Sequence, residues 1–133
     1  MKRILLVAAC AWLAGCAPDN SSLKPQDATA FFKPDFEKIY AAWSTLDTTK
    51  VAPYYAKDPK LVFYDVTPMQ YFGWEDYAAG FKRASADWKS AQATVGSDFH
   101  ATQLGNVAYV RYSLEMTIEH KNGETEKMLA RAT

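Results

Sequence analysis

The sequence from residue 61 to residue 74 reads Leu-Val-Phe-Tyr-Asp-Val-Thr-Pro-Met-Gln-Tyr-Phe-Gly-Trp. Its β-branched and aromatic residues predict a strand that ends at Asp65. A turn containing Pro68 follows, and Gly73 then opens a helical pattern. Because Asp65 ends the apolar strand of the first half of the chain, we expect its carboxylate to face a chamber walled by aromatic side chains. This stretch is therefore predicted to be the centre of the domain.

Two helical patterns precede this stretch. The first has one aromatic face, because its apolar residues recur at intervals of three and four, and Pro34 suits its first turn. These residues are Phe36, Ile39, Tyr40 and Trp43. The segment Asp47-Thr48-Thr49 supplies cap candidates for a second helix, which Pro53 limits to little more than two turns.

After Gly73, a third helical pattern is predicted to include Trp88, and beyond Lys89 the apolar period changes to two. Alternating residues predict strands at 91–101, 108–119 and 124–133, and Asn122-Gly123 is a strong hairpin signal between the last two. Helices followed by an antiparallel meander predict an α+β fold, with about three N-terminal helices packed on one face of a curved sheet.

The N-terminus has the pattern of a secretory signal. Lys2 and Arg3 precede an apolar run at residues 4–13 that is too short to span a bilayer. The run ends in Leu13-Ala14-Gly15-Cys16, which resembles the lipobox of bacterial lipoproteins, where the cysteine becomes the acylated N-terminus. The alternative is ordinary signal cleavage next to an incidental thiol. We expect residues 1–15 to be a signal peptide, Cys16 to be lipidated and residues 16–29 to be a flexible tether.

Composition limits the class of partner. Removal of residues 1–15 leaves 118 residues with 13 basic and 15 acidic side chains, a formal charge of −2. This balance gives no basic footprint for nucleic acid, and the length suits one domain. Cys10 leaves with the signal and lipidation consumes Cys16, so we expect no disulfide. The sequence has no phosphate-binding glycine loop, HExxH or Gly-x-Ser-x-Gly, and we expect neither a cofactor nor a metal.

The order of these features resembles the nuclear-transport-factor-2-like superfamily, in its SnoaL-like and ketosteroid-isomerase-like branches. The resemblance covers residues 30–133. It rests on the first helix with Tyr40 and Trp43, then Asp47, Tyr55 and Asp58, the strand 63–65, Tyr71-Phe72-Gly73 and the long strands. It implies a cone-shaped sheet that holds a pocket, and often a homodimer. Family chains continue past an Arg-x-Thr segment like Arg131-Ala132-Thr133, so the domain is expected to be C-terminally incomplete.

The resemblance also implies roles for individual residues. In the ketosteroid-isomerase branch, a carboxylate at the end of the first strand is the general base and a tyrosine of the first helix is the oxyanion donor. Asp65 and Tyr40 occupy comparable places here, whereas a second acidic oxyanion donor has no clear counterpart. Residues 108–111 also resemble the association domain of calmodulin-dependent kinase, where a strand arginine faces into the cone and can receive an anion.

Each candidate residue has a structural alternative. Asp65 is either a base whose pKa rises in an aromatic cavity or a cap of the turn before Pro68. Arg111, beside Tyr109, either binds a carboxylate or phosphate in the pocket or pairs with an acidic residue on an exposed face. His100 is expected at the surface. Tyr40 and Trp43 are at helical spacing and can belong to the core, to the pocket or to both.

The sequence therefore predicts a bacterial cell-envelope protein, anchored through Cys16 to the outer membrane and facing the periplasm. Its pocket is expected to bind a small, partly apolar ligand, with an anionic group as one option, through Trp43, Tyr109 and Arg111. The alternatives are an enzyme of acid–base chemistry, isomerase-like or cyclase-like, with Asp65 and Tyr40 as catalytic residues, and a non-catalytic dimerising module. A shared cavity for Asp65 and Arg111 is a further hypothesis.

Overall fold

The protein is seen in a computed structural model that describes residues 24–65 and 68–133. Within these residues the fold is α+β, with three α-helices and a curved antiparallel sheet, as predicted. The helices are α1 (Thr29–Trp43), α2 (Thr48–Val51, continued by a 3-10 turn at Ala52–Tyr54) and α3 (Gly73–Ala84). The strands are β1 (Gln26–Asp27), β2 (Val62–Tyr64), β3 (Gln70–Phe72), β4 (Trp88–Val95), β5 (His100–Leu104), β6 (Val107–His120) and β7 (Thr125–Ala132).

The long strand β6 organises the main sheet. Along residues 114–119 it pairs with β4 and with β7, so it lies between them. Its first part, residues 107–111, pairs with β5, and β1 adds two residues to the far edge of β5. Strands β2 and β3 form a separate hairpin in which Phe63 lies opposite Tyr71. The domain is therefore one main sheet with a small hairpin beside it.

The side chains of β6 alternate between two environments. Tyr112, Leu114 and Ile118 are buried on one face, whereas Arg111 and Glu115 are exposed on the other. Successive side chains of a strand point to opposite faces, so the even-numbered residues of β6 face the core. The predicted period of two is confirmed along this strand.

Helix α1 begins five residues earlier than Pro34, where the sequence predicted its first turn. The Asp27 carboxylate accepts a hydrogen bond from the Thr29 N–H at 2.9 Å, and the Ala101 N–H donates to Thr29 Oγ1 at 3.1 Å. These contacts with β1 and β5 anchor the added turn, which places Pro34 inside the helix. Because proline has no N–H, the helix tolerates one missing hydrogen bond there. The described domain therefore starts with β1, inside the predicted tether.

The third helix ends before Trp88, so its predicted extension to that residue is wrong. The Ser85 N–H and hydroxyl both donate to the Phe81 carbonyl at 2.8 Å, and Trp88 begins β4. The predicted strand at 91–101 is also divided into β4 and β5. Between them Gly96 donates to the Ser113 carbonyl at 2.8 Å, and Asp98 accepts from the Ser113 N–H at 3.0 Å.

Three local predictions are confirmed. The Asp47 carboxylate accepts from the Thr49 N–H at 2.9 Å and so caps the short α2. Gly73 has a φ of +71° where β3 meets α3, and Gly123 has a φ of +91° in the β6–β7 hairpin. Positive φ is the conformation that glycine adopts without steric cost, so both turns depend on the residue type.

The predicted signal peptide, Cys16 and most of the predicted tether lie outside the described residues. Among the helices of the described part, none is long and apolar enough to cross a membrane.

Candidate functional site

A cavity of about 230 Å³ lies between the helices and the main sheet. It is found where two core clusters meet: one centred on Phe99, Tyr112 and Leu114, the other on Trp43 and Trp74. The described residues that line it are mainly aromatic and apolar, with one carboxylate among them. They are Tyr40, Trp43, Ser44, Tyr55, Asp65, Tyr71, Tyr77, Phe81, Ala84, Trp88, Ala91, Ala93, Leu114, Met116 and Met128.

The cavity exists because small side chains of the sheet face large rings of the helices. Ala91 and Ala93 stand on the inward face of β4, opposite Met116 and Ile118 of β6 in the strand register. A methyl group is too short to fill the space below the helix rings. The space has a volume of about 230 Å³. It is smaller than the about 300–1,000 Å³ of sites for drug-sized ligands.

Asp65 follows the last residue of β2 and lines this cavity. It is exposed, so its carboxylate stands where the cavity meets solvent. The Asp65 N–H donates to the Met69 carbonyl at 3.3 Å, which closes the turn of the β2–β3 hairpin. The carboxylate accepts a hydrogen bond from the Tyr77 hydroxyl of α3. The prediction that Asp65 faces an aromatic chamber agrees with this position, while its role as a base stays a prediction.

Tyr40 and Trp43 of α1 also line the cavity, and both are held by other aromatic side chains. The Tyr40 and Tyr112 hydroxyls lie 2.6 Å apart, and either one can donate. Trp43 Nε1 donates to the Tyr55 hydroxyl at 3.0 Å. Each ring is thus part of the core and of the cavity wall at once.

The phenols of the cavity stay protonated. Burial raises the pKa of Tyr40 far above its ordinary value, and the neighbouring Tyr112 adds to the effect. Burial also raises the pKa of Tyr77, followed by the negative charge of Asp65, which disfavours a second anion nearby. Burial raises the pKa of Tyr55 in the same direction. These groups can therefore donate hydrogen bonds, but they do not act as bases near neutral pH.

Tyr109 and Arg111 lie elsewhere. Both are exposed on the outer face of β6, Tyr109 by 62%, and neither lines the cavity. The hypothesis that Asp65 and Arg111 face one cavity is therefore wrong. The reason is the alternation of side chains along β6: residues 112 and 114 face the helices, so residues 109 and 111 point to the opposite face of the sheet. Arg111 instead contributes to lowering the pKa of Asp98, after the hydrogen bonds from Ser113.

Both histidines are hydrogen-bonded, and His100 is less exposed than the sequence predicted. His100 is half-buried, with Nδ1 3.3 Å from Thr29 Oγ1 and Nε2 3.3 Å from Thr102 Oγ1. His120 lies between two carboxylates, with Nδ1 2.8 Å from Asp87 and Nε2 3.3 Å from Glu126. In the described part of the chain, no group of three or more His, Cys, Asp or Glu side chains could hold a metal ion.

Several residues of the cavity were missed as site residues, among them Tyr55, Tyr71 and Met116. For Tyr71 a signal existed, because alternation along the β2–β3 hairpin places Phe63, Asp65 and Tyr71 on one side. The positions of Tyr55 and Met116 had no such signal, because they depend on how separate elements pack around the cavity.

No protein-family model, curated protein or solved structure matches this chain.

Proposed function

We propose that this chain is a lipid-anchored cell-envelope protein whose cavity binds a small, partly apolar ligand. The observation that carries the binding function is the cavity of about 230 Å³ with its aromatic and methionine walls and, among the described residues, a single carboxylate at its opening. Concave, mostly apolar sites with few polar groups are typical of small-molecule binding. The proposed family is the SnoaL-like branch of the nuclear-transport-factor-2-like superfamily, in keeping with the α+β order of elements.

This cavity gives no support for an anionic group on the ligand. Arg111, which had suggested an anion, lies on the outer face of β6. Asp65 would repel an anion at the opening, and the phenols of the wall offer hydrogen bonds rather than positive charge. The proposal therefore keeps a small, partly apolar ligand and omits the acidic group.

The proposal can be tested by filling the cavity. Ala91→Leu adds three carbons on the inward face of β4, whereas Gln92→Leu places the same side chain on the outward face. Binding of small neutral alcohols such as benzyl alcohol can be followed by ligand-detected NMR. We expect binding by the native domain and by Gln92→Leu, and at least tenfold weaker binding by Ala91→Leu. Equal binding by the two variants would place the ligand outside this cavity.

A second candidate function is acid–base catalysis on a carbon acid. The observation that favours it is that Asp65 and Tyr40 line the same cavity. The Asp65 carboxylate would take a proton from the carbon next to a carbonyl group, and the Tyr40 hydroxyl would donate a hydrogen bond to the enolate oxygen. The proton would then return from the Asp65 carboxyl to a carbon of the enolate.

Proton exchange tests this candidate without knowledge of the substrate. In D₂O, the native domain should accelerate incorporation of deuterium next to the carbonyl of a small ketone such as cyclohexanone, as observed by NMR. Asp65→Asn should remove the acceleration, while Asp98→Asn, which changes a carboxylate outside the cavity, should keep it. If the native domain exchanges no faster than its Asp65→Asn variant, the cavity binds without this chemistry.

The homodimer predicted from the resemblance also remains a proposal. Light scattering on the purified domain at several concentrations would measure the mass of the assembly directly.

A further inference from the structure

We propose that the cavity selects a small organic cation of the trimethylammonium class. This inference rests on the proposed binding function and names its ligand class. It follows from three properties of the wall: the sign of its charge, the density of its aromatic rings, and the use of its polar groups.

The first property is charge. Among the described residues that line the cavity, Asp65 is the one with a formal charge near neutral pH, and none is Lys, Arg or His. Four of the lining residues are tyrosines, and the phenols of Tyr40, Tyr55, Tyr71 and Tyr77 all have raised pKa values, with burial as the main cause. The described wall thus carries one negative charge and no positive charge.

The second property is the arrangement of the rings. The Trp43 ring centroid lies 4.4 Å from that of Phe81 and 5.5 Å from that of Tyr77. Phe81 is 5.9 Å from Trp88, at an interplanar angle of 88°. The interplanar angles of these three pairs are 53°, 60° and 88°, so the rings surround the cavity in different planes. The faces of aromatic rings carry negative potential and attract cations within about 6 Å of the centroid.

The third property is that much of the wall's hydrogen-bonding capacity is already used. Trp43 Nε1 donates to Tyr55, the Tyr40 and Tyr112 hydroxyls bond to each other, and Tyr77 bonds to Asp65. A neutral polar ligand would have to replace these bonds. A methylated ammonium group needs no hydrogen-bond acceptor, and its charge can be met by ring faces and the Asp65 carboxylate together.

The molecule already contains one contact of this kind next to the cavity. Lys57 Nζ lies 3.7 Å from the centre of the Trp74 ring, and Trp74 packs at 5.0 Å on Tyr55 and at 6.2 Å on Trp43. The same aromatic cluster that walls the cavity therefore receives a cation on its outer side. Inside the cavity, where water is partly excluded, the attraction is stronger than at an exposed site.

Three probes of nearly one shape test the proposal. Choline carries a positive charge. Its analogue 3,3-dimethyl-1-butanol, in which a tert-butyl group replaces the trimethylammonium group, is neutral. The carboxylate 3,3-dimethylbutanoate (tert-butylacetate) is an anion. All three are small enough for a cavity of about 230 Å³. Titrations of the native domain, followed by protein NMR at low ionic strength, should give choline at least about tenfold tighter binding than the neutral alcohol. The anion should bind most weakly.

Two variants and one control locate the effect. Asp65→Asn keeps the shape of the side chain but removes its charge, so the preference for choline should fall by at least about threefold. Trp88→Leu should weaken choline more than the alcohol, because it replaces an aromatic ring of the wall by an aliphatic side chain. Glu115→Gln removes one negative charge from the outer face of β6, away from the cavity, and should leave the preference unchanged.

The outcomes separate this inference from the binding function. If the alcohol binds in the cavity but choline binds no more tightly, the cavity still binds small ligands and the cation preference is wrong. A preference for tert-butylacetate, or a choline preference that survives Asp65→Asn and Trp88→Leu together, would also overturn it. If none of the three probes binds and Ala91→Leu has no effect on any neutral alcohol, the binding function itself fails.

Discussion

Gly73 joins β3 to α3 with a φ of +71°. A Cβ atom built on it would lie 3.3 Å from Pro59 Cα, and the Gly73 N–H donates to the Leu61 carbonyl at 2.7 Å. The residue is therefore constrained both by its own backbone and by a neighbouring segment. Because α3 carries Tyr77 and Phe81 into the cavity wall, this one conformation also sets the position of part of the site.

We expect Gly73→Val to lower the free energy of unfolding by more than about 1 kcal/mol, because a β-branched residue is strained at positive φ. Chemical denaturation of the native domain and the variant would measure the difference. Gly123→Val is the matched control, since its φ is +91° but a Cβ atom added to Gly123 would meet nothing within 4 Å. If Gly73→Val lowers the free energy of unfolding more than Gly123→Val does, the difference measures the contact with Pro59. An unchanged unfolding curve for Gly73→Val would contradict the argument.

His120 connects two elements that are distant in sequence. At the end of β6 it bonds to Asp87, which lies between α3 and β4, and to Glu126 of β7. Its side chain is 18% exposed. The Lys121 N–H and Nζ add hydrogen bonds to the carbonyls of Asp87 and Ala86 at 2.8 and 2.7 Å. The β6–β7 hairpin is thus fastened to the segment after α3 by an imidazole that lies between two carboxylates.

This ion pair should make stability depend on pH. The hydrogen bond to Asp87 is the main cause that raises the pKa of His120 above its ordinary value of 6.5. The bond to His120 lowers the pKa of Asp87 below 3.8. Because the pKa of His120 is raised on folding, its stabilisation is fully present below the pKa of the unfolded chain and is lost as pH rises through the folded pKa. Because the pKa of Asp87 is lowered on folding, its stabilisation is present above the pKa of the unfolded chain and is lost as pH falls through the folded pKa. The contribution is therefore greatest between pH 3.8 and 6.5.

Thermal melts from pH 5 to pH 9 of the native domain and of His120→Gln would measure this contribution. We expect the native melting temperature to exceed that of the variant most at pH 5 and the difference to shrink as pH rises past the folded pKa. His100→Gln is a suitable control, because His100 contacts two hydroxyls rather than carboxylates. A constant difference across the range would show that the His120 charge makes no contribution.

At the scale of the whole molecule, the domain is proposed to be held at a membrane by its N-terminus. The lipobox-like sequence at residues 13–16 predicts a diacylglyceryl group on Cys16, and residues 17–25 would link it to β1. These nine residues, fully extended, reach at most about 32 Å, so the domain would stay close to the bilayer surface. The described residues contain no cysteine, so the loss of Cys16 would remove the lipid without removing any side chain of the described core.

In a bacterial host, we expect Cys16→Ser to remove the diacylglyceryl-modified peptide and to release the protein from the membrane fraction. Cys10→Ser, which changes the other cysteine of the chain, should leave both unchanged. Mass spectrometry of the N-terminal peptide and fractionation of the envelope provide the two measurements. Unmodified Cys16 in the native protein would indicate ordinary signal cleavage instead.

The sequence alone determined those features that depend on local chemistry. Periods of three to four and of two identified the helices and β6 because they reflect the geometry of each element itself. Asp47 as a cap, the hairpin at Asn122-Gly123 and the need for glycine at position 73 follow from short-range backbone requirements. The aromatic surroundings of Asp65 could also be predicted, because the alternation of its own hairpin places Phe63 on the same side.

Tertiary structure decided everything that depends on which elements meet. Arg111 was assigned to the pocket because residues 108–111 resemble a strand whose arginine faces into the cone, but only the packing of β6 against the helices selects which face is inside. The start of α1 at Thr29 and the division between β4 and β5 rest on hydrogen bonds to partners distant in sequence, such as those from Ala101 to Thr29 and from Ser113 to Asp98. The cavity itself arises only when Ala91 and Ala93 come to face the rings of α1 and α3, because empty space is a property of the packed assembly and of no single segment.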